Sequence, residues 1–220
     1  MDKIKVLELF AGTKSIGKAA KELGYEVFSS DYLPKFETDY TTDLLEFDVS
    51  RVPWKPDIIW ASPPCTSFSI ASISHHWTKD RQPKSQTAIT GYALVQKTLE
   101  LIDYFQPTYW YIENPRGLLR KFPIMEALPI RQTVTYCQYG DGRMKPTDIW
   151  TNNPIWIPRP MCHNGDSCHV AAPRGSKTGT QGLKDAEMRS IIPHELCMEV
   201  MSQVSFGNVD NCFYLCSTKT

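Results

Sequence analysis

The feature that most constrains this chain is a succession of short apolar segments, each stopped by a cluster of turn-forming residues. Residues 5–10 (KVLELF) have the character of a buried strand and end in Ala11-Gly12-Thr13. Residues 15–23 then place Ile16, Ala19, Ala20 and Leu23 on one helix face, and Gly24 stops them. Residues 25–29 (YEVFS) form a second predicted strand leading into Asp31. Further along, residues 57–61 (DIIWA) are broken by Ser62-Pro63-Pro64, and residues 109–112 (YWYI) run into Glu113-Asn114-Pro115. Between them, residues 87–105 carry Ala88, Tyr92, Val95, Leu99, Ile102 and Phe105 at helical spacing, with Pro107 as the stop. Strands alternating with helices predict an α/β fold with a mostly parallel sheet and helices on both faces. A closing helix is predicted over residues 194–204, with Pro193 at its start.

The 220 residues suit one such domain. Lys plus Arg (24) equals Asp plus Glu (24), so a polyanion partner would have to be met by a local basic patch. The opening MDKIKVLELF lacks a signal peptide's apolar stretch, and no apolar run approaches the ~18 residues of a membrane span. The seven cysteines are therefore expected to be reduced, as core residues, metal ligands or nucleophiles. This reads as an intracellular protein, cytoplasmic in a prokaryote or a phage-infected host. The organisation expected is a main domain over 1–151, a short irregular insertion over 152–183 rich in Pro and Gly, and a return to the main domain over 184–220.

In an open parallel sheet, ligands bind beyond the carboxyl ends of the strands. The turn clusters after the four predicted strands fall on that one rim. Asp31, an acid ending the second strand of a β-α-β unit, is suited to accept hydrogen bonds from ribose hydroxyls; a solvated turn aspartate is the alternative. Gly12 permits close backbone approach, but FAGTKS is neither GxGxxG nor a Walker loop, which argues against a nucleoside triphosphate. Cys65 follows two prolines that stiffen its segment, as a nucleophile requires, although many cysteines simply pack. Glu113, among bulky apolar groups, is placed for proton donation.

Taken together these residues resemble the DNA cytosine-5 methyltransferase family. ELFAGTKSIG is similar to the family's opening glycine element, which implies that Phe10, Ala11, Gly12, Thr13, Lys14 and Ser15 hold the methionine part of S-adenosylmethionine. The resemblance assigns the ribose to Asp31 with Tyr32, the adenine side to Asp43 with Leu44, and a further cofactor contact to Pro63. SPPCTSFS resembles the nucleophile segment, making Cys65 catalytic, and ENPRG resembles the element whose glutamate is Glu113. QYGDGRMKPT resembles an element whose basic residues, here Arg143 and Lys145, face the target base and phosphate. RSIIPHE (189–195) is a fainter echo of the element before the closing helix. PCT stands where the family has PCQ, ENP where it has ENV, and Thr13-Lys14-Ser15 where it prefers glycine.

The resemblance implies a Rossmann-like methyltransferase fold and a covalent mechanism. The Cys65 thiolate adds to carbon 6 of cytosine, Glu113 donates to ring nitrogen 3, and carbon 5 takes the methyl group. A base in duplex DNA would be flipped out. Ser67, Asn114 and the basic, aromatic stretch His75 to Arg81, with Lys79, Arg81 and Lys84, are assigned to the substrate. The segment between Arg143 and Arg189 is much shorter than a usual target-recognition domain. Recognition is then minimal, delegated to a partner protein, or directed at RNA or single-stranded substrate; a catalytically silent relative is the other class. Within the insertion, Arg174 and Lys177 are substrate candidates. Cys162, His163, Cys168 and His169 offer zinc's preferred ligand types at a spacing unlike a standard finger, with polar loop residues as the alternative.

Overall fold

The computed structural model describes residues 2–171 and 185–204. Seven strands, β1 (Lys5–Leu9), β2 (Glu26–Asp31), β3 (Tyr40–Thr41), β4 (Ile58–Ala61), β5 (Tyr109–Pro115), β6 (Ile130–Thr135) and β7 (Pro146–Thr151), form one sheet. Its order is β3-β2-β1-β4-β5-β7-β6. All neighbours are parallel except the two that involve β7. Six helices accompany it: α1 (Ser15–Glu22), α2 (Ile73–His76), α3 (Gln86–Phe105), α4 (Pro123–Glu126), α5 (Ala186–Ser190) and α6 (His194–Ser202).

Side chains alternate across a strand, so a strand covered on both faces must be apolar or have its polar groups paired. That is why β4 reads as an unbroken run and β1 as one interrupted by Glu8, whose partners come from α1. Leu7, Leu9, Ile59 and Ala61 turn to one face, where Leu94, Val95 and Leu101 of α3 cover them. Val6, Ile58 and Trp60 turn to the other, against Ile16, Ala19 and Ala20 of α1 and Leu196, Val200 and Met201 of α6.

Three elements differ from the sequence expectation. β5 does not end at Ile112 but continues through Pro115, because Glu113 and Asn114 pair with Ile149 and Asp148 of β7. β6 and β7 were not predicted: IRQTVT and PTDIWT are too polar to announce themselves. Their polarity is absorbed by pairing, since the fully buried Asp148 binds Arg120 at 2.6 Å and accepts from the Thr133 hydroxyl at 2.8 Å. Residues 152–171 form neither helix nor strand. Among the described residues no helix is long and apolar enough to cross a membrane.

The chain leaves β1 toward β2 and β3 on one side and resumes at β4 and β5 on the other. The crevice beyond the carboxyl ends of β1 and β4 is therefore the switch point of the sheet, where such folds bind ligands.

Candidate active site

Three loops meet at this rim. The first joins β1 to α1. Phe10 (φ 55°), Gly12 (φ 48°) and Lys14 (φ 56°) all adopt left-handed backbone, which folds the loop tightly over the strand end. Gly12 donates its N–H to Asp31 Oδ2 at 2.9 Å, and Leu33 donates to Asp31 Oδ1 at 2.9 Å. The Asp31 carboxylate, 8% exposed, thus fixes the ends of β1 and β2 together while each oxygen keeps a lone pair for a ligand. Beneath the loop, Glu8 of β1 accepts the N–H groups of Ile16 and Gly17 at 3.1 and 3.0 Å, capping α1 from inside the sheet. Its burial pushes its pKa up to about 8, against the pull of those two N–H groups.

A cavity of about 200 Å³ opens here, lined by Phe10, Ser30, Asp31, Tyr32, Thr42, Asp43, Leu44, Pro64, Thr90 and Leu94. An acid able to hold two ribose hydroxyls, the 62%-exposed Tyr32 ring at the rim and flat apolar walls from Phe10 and Leu44 suit the nucleoside of S-adenosylmethionine. Of the residues expected at this cofactor, Phe10, Asp31, Tyr32, Asp43 and Leu44 line the cavity. Pro63 is buried, and its neighbour Pro64 supplies the wall. Ala11 bonds its N–H to Ser30 O at 3.0 Å, and Lys14 reaches to Glu37 O at 2.7 Å. Thr13 and Ser15 share a hydroxyl contact at 3.2 Å, and Ser15 also accepts from Ile192 N–H at 3.3 Å.

The second loop carries Cys65 just past β4. It is locked from the neighbouring strand, where Asn114 Nδ2 donates to Pro63 O at 2.9 Å. Asn114 is fully buried, and its Nδ2 ties the Cys65 loop to β5. Burial pushes the Cys65 thiol up; the Lys145 ammonium nearby pulls it down, and Glu113 pushes it up again. Both groups assigned to catalysis on β5 and beside β7 are thus close enough to sense the sulfur.

The third part is Glu113 itself. Tyr136, on the turn after β6, donates its hydroxyl to Glu113 Oε1 at 3.1 Å in a buried setting. Lys145 lies 4.7 Å over the Tyr136 ring and donates to Arg189 O at 3.1 Å. Arg143 does not face an open substrate site. Only 6% exposed, it is paired with Asp141 through Nε and Nη2 and donates to the carbonyls of Met188, Arg189 and Ile191 at 3.1–3.2 Å. These contacts tie the returning segment to the turn before β7.

On the substrate side, Ser67 lines an adjoining cavity of about 320 Å³ with Pro64, Thr66, Gln86 and Gly91. The stretch from His75 to Arg81 is anchored and not a free flap: Trp77 stacks on Phe68 at 5.8 Å and donates to Ser67 O at 2.9 Å. Arg81 is held to Lys121 O at 2.5 Å, while Lys79 and Lys84 lie exposed. Arg174 and Lys177 lie outside the described residues. Cys162, Cys168 and His169 come together with Cys137, and His163 is not among them; its backbone N–H binds Asp166 at 2.6 Å.

Sequence reasoning missed Glu8, Tyr136 and Cys137. Glu8 had a signal: a lone acid in the run KVLELF cannot be buried without donors, and the start of α1 supplies them. Tyr136 and Cys137 had none, since their partners come from residues far along the chain.

A nucleoside-sized crevice at the sheet's switch point, beside a stiffened thiol and a tyrosine-held carboxyl, defines the class of S-adenosylmethionine-dependent methyltransferases. Residues 4–127, more than half of the chain, match the model of the C-5 cytosine-specific DNA methylase family, and the chain belongs to that family. It is 29% identical over 219 residues to a probable DNA (cytosine-5)-methyltransferase of Frog virus 3 (isolate Goorha), covering 90% of this chain and 99% of the relative. Among solved structures it resembles the Entamoeba histolytica methyltransferase EhMeth (11% identity, TM-score 0.51), with 73% of this chain and 57% of that one aligned. The Schizosaccharomyces pombe Dnmt2 methyltransferase aligns over 68% of this chain and 49% of its own (14% identity, TM-score 0.48). The chain thus spans about half the length of these solved structures.

Proposed function

We propose that this protein methylates carbon 5 of cytosine in DNA, with Cys65 as nucleophile and Glu113 as the group that engages the ring. The carrying observation is the shared frame of the two: Asn114, next to Glu113, donates to Pro63 O, two residues before Cys65, tying the Cys65 loop to β5. When bound, S-adenosylmethionine would be held by Asp31 and the cavity that Phe10 and Leu44 line, and would supply an electrophilic methyl group.

The chain's own residues do the rest. Lys145 favours the thiolate of Cys65 against the cost of burial. That thiolate adds to cytosine carbon 6, forming the C–S bond and pushing the electron pair of the 5,6 double bond toward carbon 5. Glu113, steadied by Tyr136, hydrogen-bonds ring nitrogen 3 and stabilises the charge that develops. After methyl transfer, loss of the carbon 5 proton restores the double bond and expels Cys65. DNA is favoured over RNA as substrate by the family and by the near-full-length viral relative.

Tritiated methyl transfer to duplex DNA, single-stranded DNA and RNA in parallel tests this. Incorporation into DNA, absent in Cys65→Ser, is expected, with a covalent adduct on Cys65 when the DNA carries 5-fluorocytosine. Transfer to RNA alone would replace the substrate, and full turnover by Cys65→Ser would overturn the mechanism.

A further inference from the structure

Away from the crevice, the described residues hold a second cluster of reactive side chains. The Sγ atoms of Cys137, Cys162 and Cys168 and a ring nitrogen of His169 all lie within 4.8 Å of one another. Cys137 comes from the turn after β6; the other three come from the irregular segment after β7. We propose that these four residues bind a structural zinc ion that fastens the segment after β7 to the turn carrying Tyr136.

Three of the ligand–ligand distances match the edges of a tetrahedral zinc site. Zinc–sulfur bonds of about 2.3 Å and zinc–nitrogen bonds of about 2.0 Å imply edges of roughly 3.8 Å between sulfurs and roughly 3.5 Å from sulfur to nitrogen. Cys137 and Cys168 lie 3.7 Å apart. His169 Nδ1 lies 3.8 Å from Cys162 and 3.6 Å from Cys168. Cys137 and Cys162 stand closer, at 3.0 Å, and an ion at the centre would open that edge by less than an ångström.

The ligand chemistry narrows the metal. Three thiols and an imidazole, with no carboxylate among them, select zinc over magnesium, calcium or manganese. Four protein ligands leave no open position, which marks a structural site and not a catalytic one. Gln138 Nε2 donates to Cys168 Sγ at 3.4 Å, an outer contact of the kind that steadies a metal-bound thiolate. The cluster also gives a role to Cys168, an exposed cysteine beside two buried ones.

The fold gives the ion something to hold. Residues 152–171 have no helix or strand of their own and lie along the segment from Thr135 to Gly142. Cys162 N–H donates to Thr135 Oγ1 at 3.0 Å, Arg159 Nη1 to Gln138 O at 2.7 Å, and Val170 N–H to Gly142 O at 2.9 Å. A cross-link at Cys137, one residue from the tyrosine that donates to Glu113, would fix this segment against the turn that reaches the active site. The inference does not rest on the substrate proposed above.

Elemental analysis of the purified full chain should give about one equivalent of zinc per protein. Cys168→Ser, on the surface, should lose it, and His163→Ala should keep it. Because Cys137→Ser risks misfolding, the wild type is also stripped with chelator and titrated with cobalt(II) alone. Absorption bands of a tetrahedral cobalt thiolate, saturating at one equivalent, are expected. No zinc and no cobalt bands in the wild type would overturn the proposal. So would zinc that survives Cys168→Ser but is lost in His163→Ala, or a Cys137–Cys162 disulfide found by thiol mapping under reducing purification.

Discussion

Replacing Gly17 by alanine, usually a stabilising change inside a helix, should destabilise this protein. The ordinary gain is at most about 1 kcal/mol, from removing glycine's backbone freedom in the first turn of α1. Against it stands a steric fact: a Cβ on Gly17 would lie 2.6 Å from Glu8 Oε2 and 3.3 Å from Val27 Cγ1. A flexible carboxylate would normally swing aside at little cost. Glu8 cannot, because it is 3% exposed on a central strand flanked by β2 and β4. Displacing it breaks its bonds to Ile16 and Gly17 and leaves buried N–H groups unpaired, at about 1–3 kcal/mol each. With both bonds broken, the net loss is about 1–5 kcal/mol after subtracting the propensity gain. Urea unfolding measures it as a lower midpoint with an unchanged slope, with Lys18→Ala, exposed on the same helix, as a near-neutral control. A Gly17→Ala protein as stable as wild type, or more so, would refute the claim that Glu8 is locked under α1.

Three further outcomes are expected. Asp31→Ala should weaken S-adenosylmethionine binding by roughly tenfold or more, as charge-assisted ribose hydrogen bonds are lost; calorimetric titration reads this, and an unchanged Kd returns Asp31 to a turn residue. Tyr136→Phe should lower kcat roughly tenfold with KM for the cofactor little changed, since Glu113 loses its donor; equal losses in both would point to general misfolding. Glu8, with a folded pKa of about 8 against an ordinary 4.5, binds its proton more tightly in the folded chain. Its contribution is therefore fully present below pH 4.5 and is lost as pH rises to 8, at about 1.4 kcal/mol per unit. Denaturation across that window should show this slope in the wild type and not in Glu8→Gln.

What the sequence revealed and what it concealed divide along a physical line. β1, α1 and β2 were legible because their apolar residues cluster between turn signals and the helix covering the sheet repeats near every fourth residue. The segments of Cys65 and Glu113 stood out because they match a family pattern, and the structure brings both to the same rim. β6 and β7 were hidden, since Asp148 and Thr133 look like surface residues until Arg120, from outside both strands, neutralises them. The partners of Arg143 were hidden as well, since its motif says nothing of Asp141 two residues away or of the three carbonyls near residue 190 that accept from it. His163 was wrongly grouped with His169 because spacing alone cannot tell which of two neighbouring imidazoles turns toward the sulfurs.

The segment from Tyr136 to Lys145 carries consequences beyond its own length. Tyr136 holds Glu113, Cys137 joins the sulfur cluster, Tyr139 donates to Glu199 of α6, and Arg143 and Lys145 grip residues 188–191. Arg159, in the irregular segment, closes the circuit by binding both Glu195 and Glu199 at 2.6 and 3.0 Å. α6 in turn packs on α1, the helix that Glu8 caps beneath the cofactor loop. Arg159 also donates to Gln138 O, two residues from Tyr136, so the two side chains belong to one connected network and their mutational effects should not add. A double change of Arg159 and Tyr136 to Ala and Phe should cost a different amount of activity from the sum of the two singles. Strict additivity would mean that the segment after β7 is merely attached, and that Glu113 is positioned without it.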